Sequence, residues 1–352
     1  MKNPIGIGLA IAASATFALA HGEGDENKGN SSVVDNAFKQ GTTVSYKPGA
    51  GVTFDGGEEF SLNLSGRIQI QWNYVDFDSS VPTSNPPPAT GNESDINSFD
   101  GRRARLDLKG HVWSEDITYR LQTEMLYQLS ALDAYIGWRF LNDDANSINL
   151  RLGLQKMRTG LQNDTDSAYM ALPERSAASG TFGNLRATGA LIEGQAFKTD
   201  NGGQLQYHVG AYNNDIAGGS NPGINYPVGF AGNIGPNESV ALNYVIGAMW
   251  AMGGGDTSEH WTESDLSHDG ETTLNLGLNV HFGNDRTAGV KDESNMINAF
   301  AGWKSGSGIA IQGEFYTRND DFQGGGDSDT SGWYVQGGYT TAPDSGDRKS
   351  VV

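Results

Sequence analysis

Apolar and polar residues alternate along much of this chain, and the alternation is most sustained over residues 60–77, FSLNLSGRIQIQWNYVDF. There Phe60, Leu62, Leu64, Ile68, Ile70, Trp72 and Tyr74 alternate with Ser61, Asn63, Ser65, Arg67, Gln69, Gln71 and Asn73. A period of two held for so long predicts a strand beyond ordinary length, greasy on one face and polar on the other. The pattern recurs. Ala104, Leu106, Leu108 and Val112 oppose Arg103, Arg105, Asp107, Lys109 and His111, and Ile117, Tyr119, Leu121 and Met125 oppose Thr118, Arg120, Gln122 and Glu124. Leu132, Ala134, Ile136, Trp138 and Phe140 oppose Asp133, Tyr135 and Arg139; Ile148, Leu150, Leu152 and Leu154 oppose Asn149, Arg151 and Gln155. Further stretches at 205–211, 240–252, 274–282, 309–315 and 333–339 bring the strands to about twelve. Over 186–194 both faces are small or apolar, and the register stays open.

A soluble sandwich alternates too, with its polar face toward bulk water and its apolar face in a core. Here aromatics gather at strand ends, at Trp72, Tyr74, Trp138, Phe140, Trp250 and Phe282, as in the girdles of a barrel wall at the lipid headgroups. Short turns (113–116, 142–147) alternate with long polar loops (78–98, 158–184, 213–238), the asymmetry of periplasmic turns and external loops. The reading is all-β, an antiparallel transmembrane β-barrel. A secreted soluble β-sandwich binding protein is the alternative.

The remaining composition narrows the class. Residues 1–20, with Lys2, an apolar run and small residues at Ala18 and Ala20, read as a signal peptide cleaved after Ala20, hence export from a Gram-negative cell. No later apolar run of about 18 residues exists to form a membrane helix. With no Cys and 49 Gly, the chain relies on packing and strand pairing. A formal charge of −19 argues against nucleic acid as a partner. Residues 21–55 read as a polar periplasmic segment without periodicity, and 56–346 as the barrel. Residues 347–352, DRKSVV, fit no strand and back-translate to the start of a common sequencing adapter, so they are read as a non-native tail on an incomplete barrel.

Candidate chemistry lies on the polar face. Arg67, Arg103, Arg105, Lys109, Arg120, Arg139 and Arg151 would line water on neighbouring strands. Such a row raises the local anion concentration, and the Arg fork suits phosphate or carboxylate. The same residues could instead pair with Asp107, Glu124, Asp133, Glu193 and Glu314 and brace the wall. The stretch 318–332 is faintly like a calcium loop but lacks the closing Glu, and His260 and His268 lack a third ligand at convincing spacing, so no metal or other cofactor is assigned. No Ser–His constellation for hydrolysis stands out, and the chain is not read as an enzyme.

Several blocks resemble the phosphate-selective porin family of the O/P type: SGRIQIQ at 65–71, GRRARLDLKG at 101–110, LDAYIGW at 132–138 and RLGLQK at 151–156. LPERS at 172–176, YHVGAYNND at 207–215, IQGEFY at 311–316 and GWYVQGGY at 332–339 continue it in the same order. The resemblance implies a homotrimeric barrel of about sixteen strands, of which about four are missing here, in outer-membrane lipid and lipopolysaccharide. It also implies an inward-folded constriction loop and basic residues on the path of small anionic or neutral solutes. In this chain the loop offers Lys156, Arg158 and Arg175, set among Asp164, Asp166 and Glu174. A plugged structural or adhesion barrel is the remaining alternative.

Overall fold

The computed structural model describes residues 9–15, 42–47, 49–75, 96–126, 129–143, 145–183, 186–199, 202–213, 242–253, 260–266, 268–287, 290–322 and 326–341. Most of the expected leader and polar segment, the loops expected at 78–98 and 213–238 for nearly all their length, and the tail 347–352 lie outside the described residues. The chain forms two compact units, residues 1–57, 61–109 and 122–131, and residues 58–60, 110–121 and 132–352. Both are built of antiparallel strands.

The first unit holds β1 (Leu9–Ala15), β2 (Thr43–Lys47), β3 (Gly51–Asp55), β4 (Phe60–Val75) and most of β5 (Ile96–Val112). β2, β3 and β4 pair as a meander, Val44 opposite Phe54 and Val52 opposite Leu64. This hairpin begins inside the segment read as lacking periodicity, because five-residue strands are too short to register as a period. β1, inside the segment read from sequence as a leader, pairs with β4 from Leu9 opposite Tyr74 to Ala15 opposite Ile68. An unpaired strand edge offers a row of backbone donors and acceptors, and a short apolar run of extended chain satisfies them.

In the second unit β6 (Ser114–Glu124, whose last three residues fall in the first unit) is followed by β7 (Ser130–Asn142), β8 (Ser147–Lys156), β9 (Arg186–Ala196), β10 (Gln204–Tyr212), β11 (Asn243–Met252), β12 (Thr273–Thr287), β13 (Val290–Lys304), β14 (Ile309–Phe322) and β15 (Gly326–Tyr339). From β7 to β15 each strand pairs with the next. Among the described residues fourteen strands follow β1, against about twelve read from alternation.

Burial in this unit is inverted relative to a soluble protein. Ile136, Trp138, Ile246, Leu276, Leu278, Ile311, Phe315 and Trp333 point out and are exposed, whereas Gln155, Asn243, Asn279, His281, Asn298 and Glu314 on the other face are buried. Exposed apolar surface on this scale is stable only against lipid. The open register near 186–194 is settled by Glu193 opposite Asn149 and Leu191 opposite Arg151, which puts Ala187, Gly189, Leu191 and Glu193 on the inward face.

Because the strands alternate in direction, β7, β9, β11 and β13 end at one end of the unit, and β8, β10, β12 and β14 at the other. The expected asymmetry of loops does not hold throughout, since the chain between β11 and β12 is long at the end where that between β7 and β8 is short.

Candidate functional site

The site is the inward face of the second unit with residues 157–183 laid on it. The loop carries two short helices, α1 (Leu161–Asp164) and α2 (Ala177–Phe182), the latter capped by the Ser176 hydroxyl accepting from the Ser179 N–H. Two apolar patches on the inward face receive it. Met157 and Phe182 pack with Leu191, Tyr212, Val245, Met296 and Tyr316, and Leu161 packs with Met249, Ala251 and Phe300. Inward glycines make room for the rings: a Cβ at Gly277 would lie 2.0 Å from Cζ of Phe300, and one at Gly332 would lie 2.7 Å from Cε2 of Phe182.

One buried carboxylate anchors the loop's first turn. Glu314 accepts from the backbone N–H of Leu161 (2.9 Å) and Gln162 (2.8 Å), from Nδ2 of Asn298 (3.0 Å), and from the hydroxyls of Tyr316 (2.9 Å) and Tyr334 (2.7 Å). Gly160 must be glycine there, since a Cβ would sit 2.4 Å from Oε2 of Glu314 and 2.6 Å from the Tyr316 hydroxyl. Connection 253–272 reaches the same place from the opposite end. Gln162 Nε2 donates to Glu263 Oε1 at 2.9 Å, Ala171 N–H donates to Glu263 Oε2 at 2.7 Å, and Glu263 N–H donates to the Tyr169 carbonyl at 3.0 Å. Trp261 stacks under Arg158, its indole N–H donating to Gln206 Oε1 at 3.1 Å. Two segments from opposite ends thus meet on the polar face.

The basic residues named from sequence are distributed as follows. In the first unit Arg67 lies on β4 and Arg103, Arg105 and Lys109 at alternate positions of β5, Arg103 donating to Gln69 Oε1 at 2.8 Å and Arg105 pairing with Glu124 at 2.9 Å; Lys109 is exposed. In the second, Arg120 lies 3.5 Å from Asp133 and 3.6 Å from Asp166, and Arg139 is exposed and donates to the Glu115 carbonyl at 3.2 Å. Arg151 and Arg158 share Glu193, the latter at 2.5 Å. Lys156 donates to the carbonyls of Asp164 and Thr165, both at 2.9 Å, and Arg175 to those of Gln162 (3.1 Å) and Thr165 (3.4 Å). The three loop cations therefore tie the loop to itself and to the wall. Of the bracing carboxylates, Glu124, Asp133 and Glu193 take Arg partners, whereas Glu314 takes backbone and hydroxyl donors. Burial pushes the Asp164 carboxyl up to about 7, against the pull of Arg158 and Lys156.

Of the weaker candidates, His260 is buried against Asn275, with Nδ1 2.5 Å from Asn275 Oδ1. Sequence reading missed Arg186, which meets Asp133 at 2.7 Å, and missed Glu263 and the inward apolar patches. The signal for the patches was present in β11, NYVIGAMWAM, which is apolar on both faces. A strand with lipid on one side and apolar residues on the other needs a cover on that other side.

A wall of long antiparallel strands, apolar outward and polar inward, with a loop folded onto the polar face, is the build of an outer-membrane porin. The model of one such family, phosphate-selective porin O and P, matches residues 63–349, and the chain belongs to that family. It is a family of channels of the Gram-negative outer membrane and not of enzymes. No curated protein matches the chain.

Proposed function

We propose that the protein is a passive pore for small hydrophilic solutes, exported behind a leader whose cleavage after Ala20 removes β1 and frees the β4 edge, and assembled as a homotrimer among outer-membrane lipid and lipopolysaccharide. The observation that carries this is the inverted wall: outside the two patches under the loop its inward face is lined by amides and charges, while large apolar residues face outward. Such a face is favourable beside water or beneath polar segments that complete its hydrogen bonds, and not against lipid. Anions are the preferred class within this reading, because β4 and β5 of the first unit hold Arg67, Arg103, Arg105 and Lys109 against Asp107 and Glu124. Phosphate is one such anion. Planar-bilayer recordings test the proposal: discrete conductance steps with a reversal potential on the anion side are expected. Absence of steps would refute the pore, and cation selectivity would refute the preference.

A plugged structural barrel is the second reading, favoured by the meeting of residues 157–183 with Glu263 on the inward face. Proteoliposomes that fail to swell in an osmotic assay with small sugars would decide for it.

A further inference from the structure

The inward face of the second unit encloses a cavity of about 200 Å³ between β8–β12 and the two folded-in segments. Gln206, His208 and Asn279 line it, and Nε2 of Gln206, Nε2 of His208 and Oδ1 of Asn279 are buried there with no hydrogen-bond partner in the protein. Buried polar atoms are nearly always satisfied, so three orphans around one hollow point to an occupant that supplies the missing bonds. Gly247 lies between two of them in the register, opposite both His208 and Asn279. A Cβ there would fall 2.0 Å from Asn279 Oδ1 and 2.5 Å from the His208 ring, so glycine is what lets the two side chains share this space.

The charges around the cavity say which class of solute fits. Arg158 meets Glu193 at 2.5 Å and Asp164 at 3.9 Å, and Arg151 pairs with the same Glu193. Of the charged residues in the lining, Arg158 is matched by Glu193, and Asp164, whose carboxyl burial lifts to about 7, adds no positive charge, so the cavity lacks the excess of cations that would hold an anion. The orphans include an amide donor and an amide acceptor, which a hydroxyl group satisfies equally well because it both donates and accepts. Met249, Phe300 and Trp261 add apolar and aromatic surface to the same lining, suited to the C–H face of a ring.

We propose that this cavity is a subsite for a small neutral polyhydroxylated solute of monosaccharide size, occupied in passing by molecules that cross the pore. The inference rests on the porin reading above and names a solute class for this part of the path. Binding there is weak, since a pore that grips its solute stops conducting.

The test uses the full chain in planar bilayers with D-glucose added on one side. A saturable fall in conductance is expected at concentrations too low to change viscosity, with no comparable fall from sodium phosphate at equal ionic strength. Asn279→Leu keeps the side-chain size and removes the acceptor together with the Nδ2 donor to Asn298 Oδ1, and is expected to raise the half-blocking concentration about tenfold. Should that variant fail to insert, calorimetric titration of the detergent-solubilised native chain with D-glucose gives a second reading, in which saturable heat is expected. Steps that glucose leaves unchanged, or that phosphate blocks in its place, would overturn the subsite and leave the pore standing. Absence of any steps would overturn the pore reading and the subsite with it.

Discussion

Glu314 shows how one residue sets the position of a loop. Its carboxylate accepts from two backbone N–H groups of α1 and from three side chains of the wall, so the loop's first turn is held by hydrogen bonds to a charged acceptor in a buried setting. Glu314→Gln preserves the shape but turns an amide donor toward existing donors, at a cost of about 1–3 kcal/mol to the docked loop. Protease cleavage within 157–183 in detergent micelles is expected to accelerate; an unchanged rate would remove Glu314 from this role. Gly277→Ala tests the room left for Phe300 on the neighbouring strand. Overpacking of this kind costs about 1–3 kcal/mol, to be read as a lowered midpoint in thermal unfolding. These roles were only half visible in the sequence. Alternation gave the inward placement of Glu314 beside outward Phe315, but a carboxylate's partner depends on which distant segment folds over it. Residues 161 and 314 are brought together by a loop that period-two patterning does not describe.

The strands themselves were largely legible, since a wall with lipid on one side and water on the other imposes a strict period of two. β7 and β8 pair in unbroken register from Ala134 opposite Leu154 to Arg139 opposite Asn149, with a shift between Arg139 and Leu141. Where the inward face is covered by a loop, as at Leu191, Val245 and Met249, the polar half of the period is lost and the register became readable only from the structure. The loop's own chemistry gives a pH dependence. Asp164 is buried with Arg158, Lys156, Glu193 and Glu314 around it, and burial lifts its carboxyl to about 7. A released loop would return it to the ordinary Asp value of about 4. The docked loop thus takes up the proton more readily than the released one. Docking is strongest below the ordinary value and weakens as pH rises through the raised one. Burial also lowers the neighbouring Lys156 amine to about 7, so above that pH its loss of a proton favours docking again. Cleavage of 157–183 is therefore expected to be faster at about pH 7 than at about pH 5, with the difference flattened in Asp164→Asn. Equal pH dependence in the two proteins would count against it.

For the whole protein the question is where selectivity resides. The family's description points to phosphate, yet the loop cations Lys156, Arg158 and Arg175 are bonded to carbonyls or carboxylates of the protein. A cation already matched by a carboxylate contributes little field at a solute a few ångströms away, whereas an unbalanced row acts over about a Debye length, 8–10 Å at ordinary salt. Anion preference should therefore depend chiefly on the β4 and β5 rows, where Lys109 is exposed and basic residues outnumber acidic ones. Lys109→Glu changes that row by two charges without breaking a buried pair, and its expected effect is to lower the anion-to-cation permeability ratio from reversal potentials in a salt gradient. The shift should fade as ionic strength rises. Arg158→Gln should act differently. It strips one of the two guanidinium groups from Glu193 and leaves Asp164 without its nearest Arg, so two carboxylates gain weight in the field and the loop loses a tie. Its expected signature is a move toward cations together with noisier open-channel current. If Lys109→Glu leaves the ratio unchanged while Arg158→Gln reverses it, selectivity resides at the docked loop and the balance of pairs seen there is not what solutes meet.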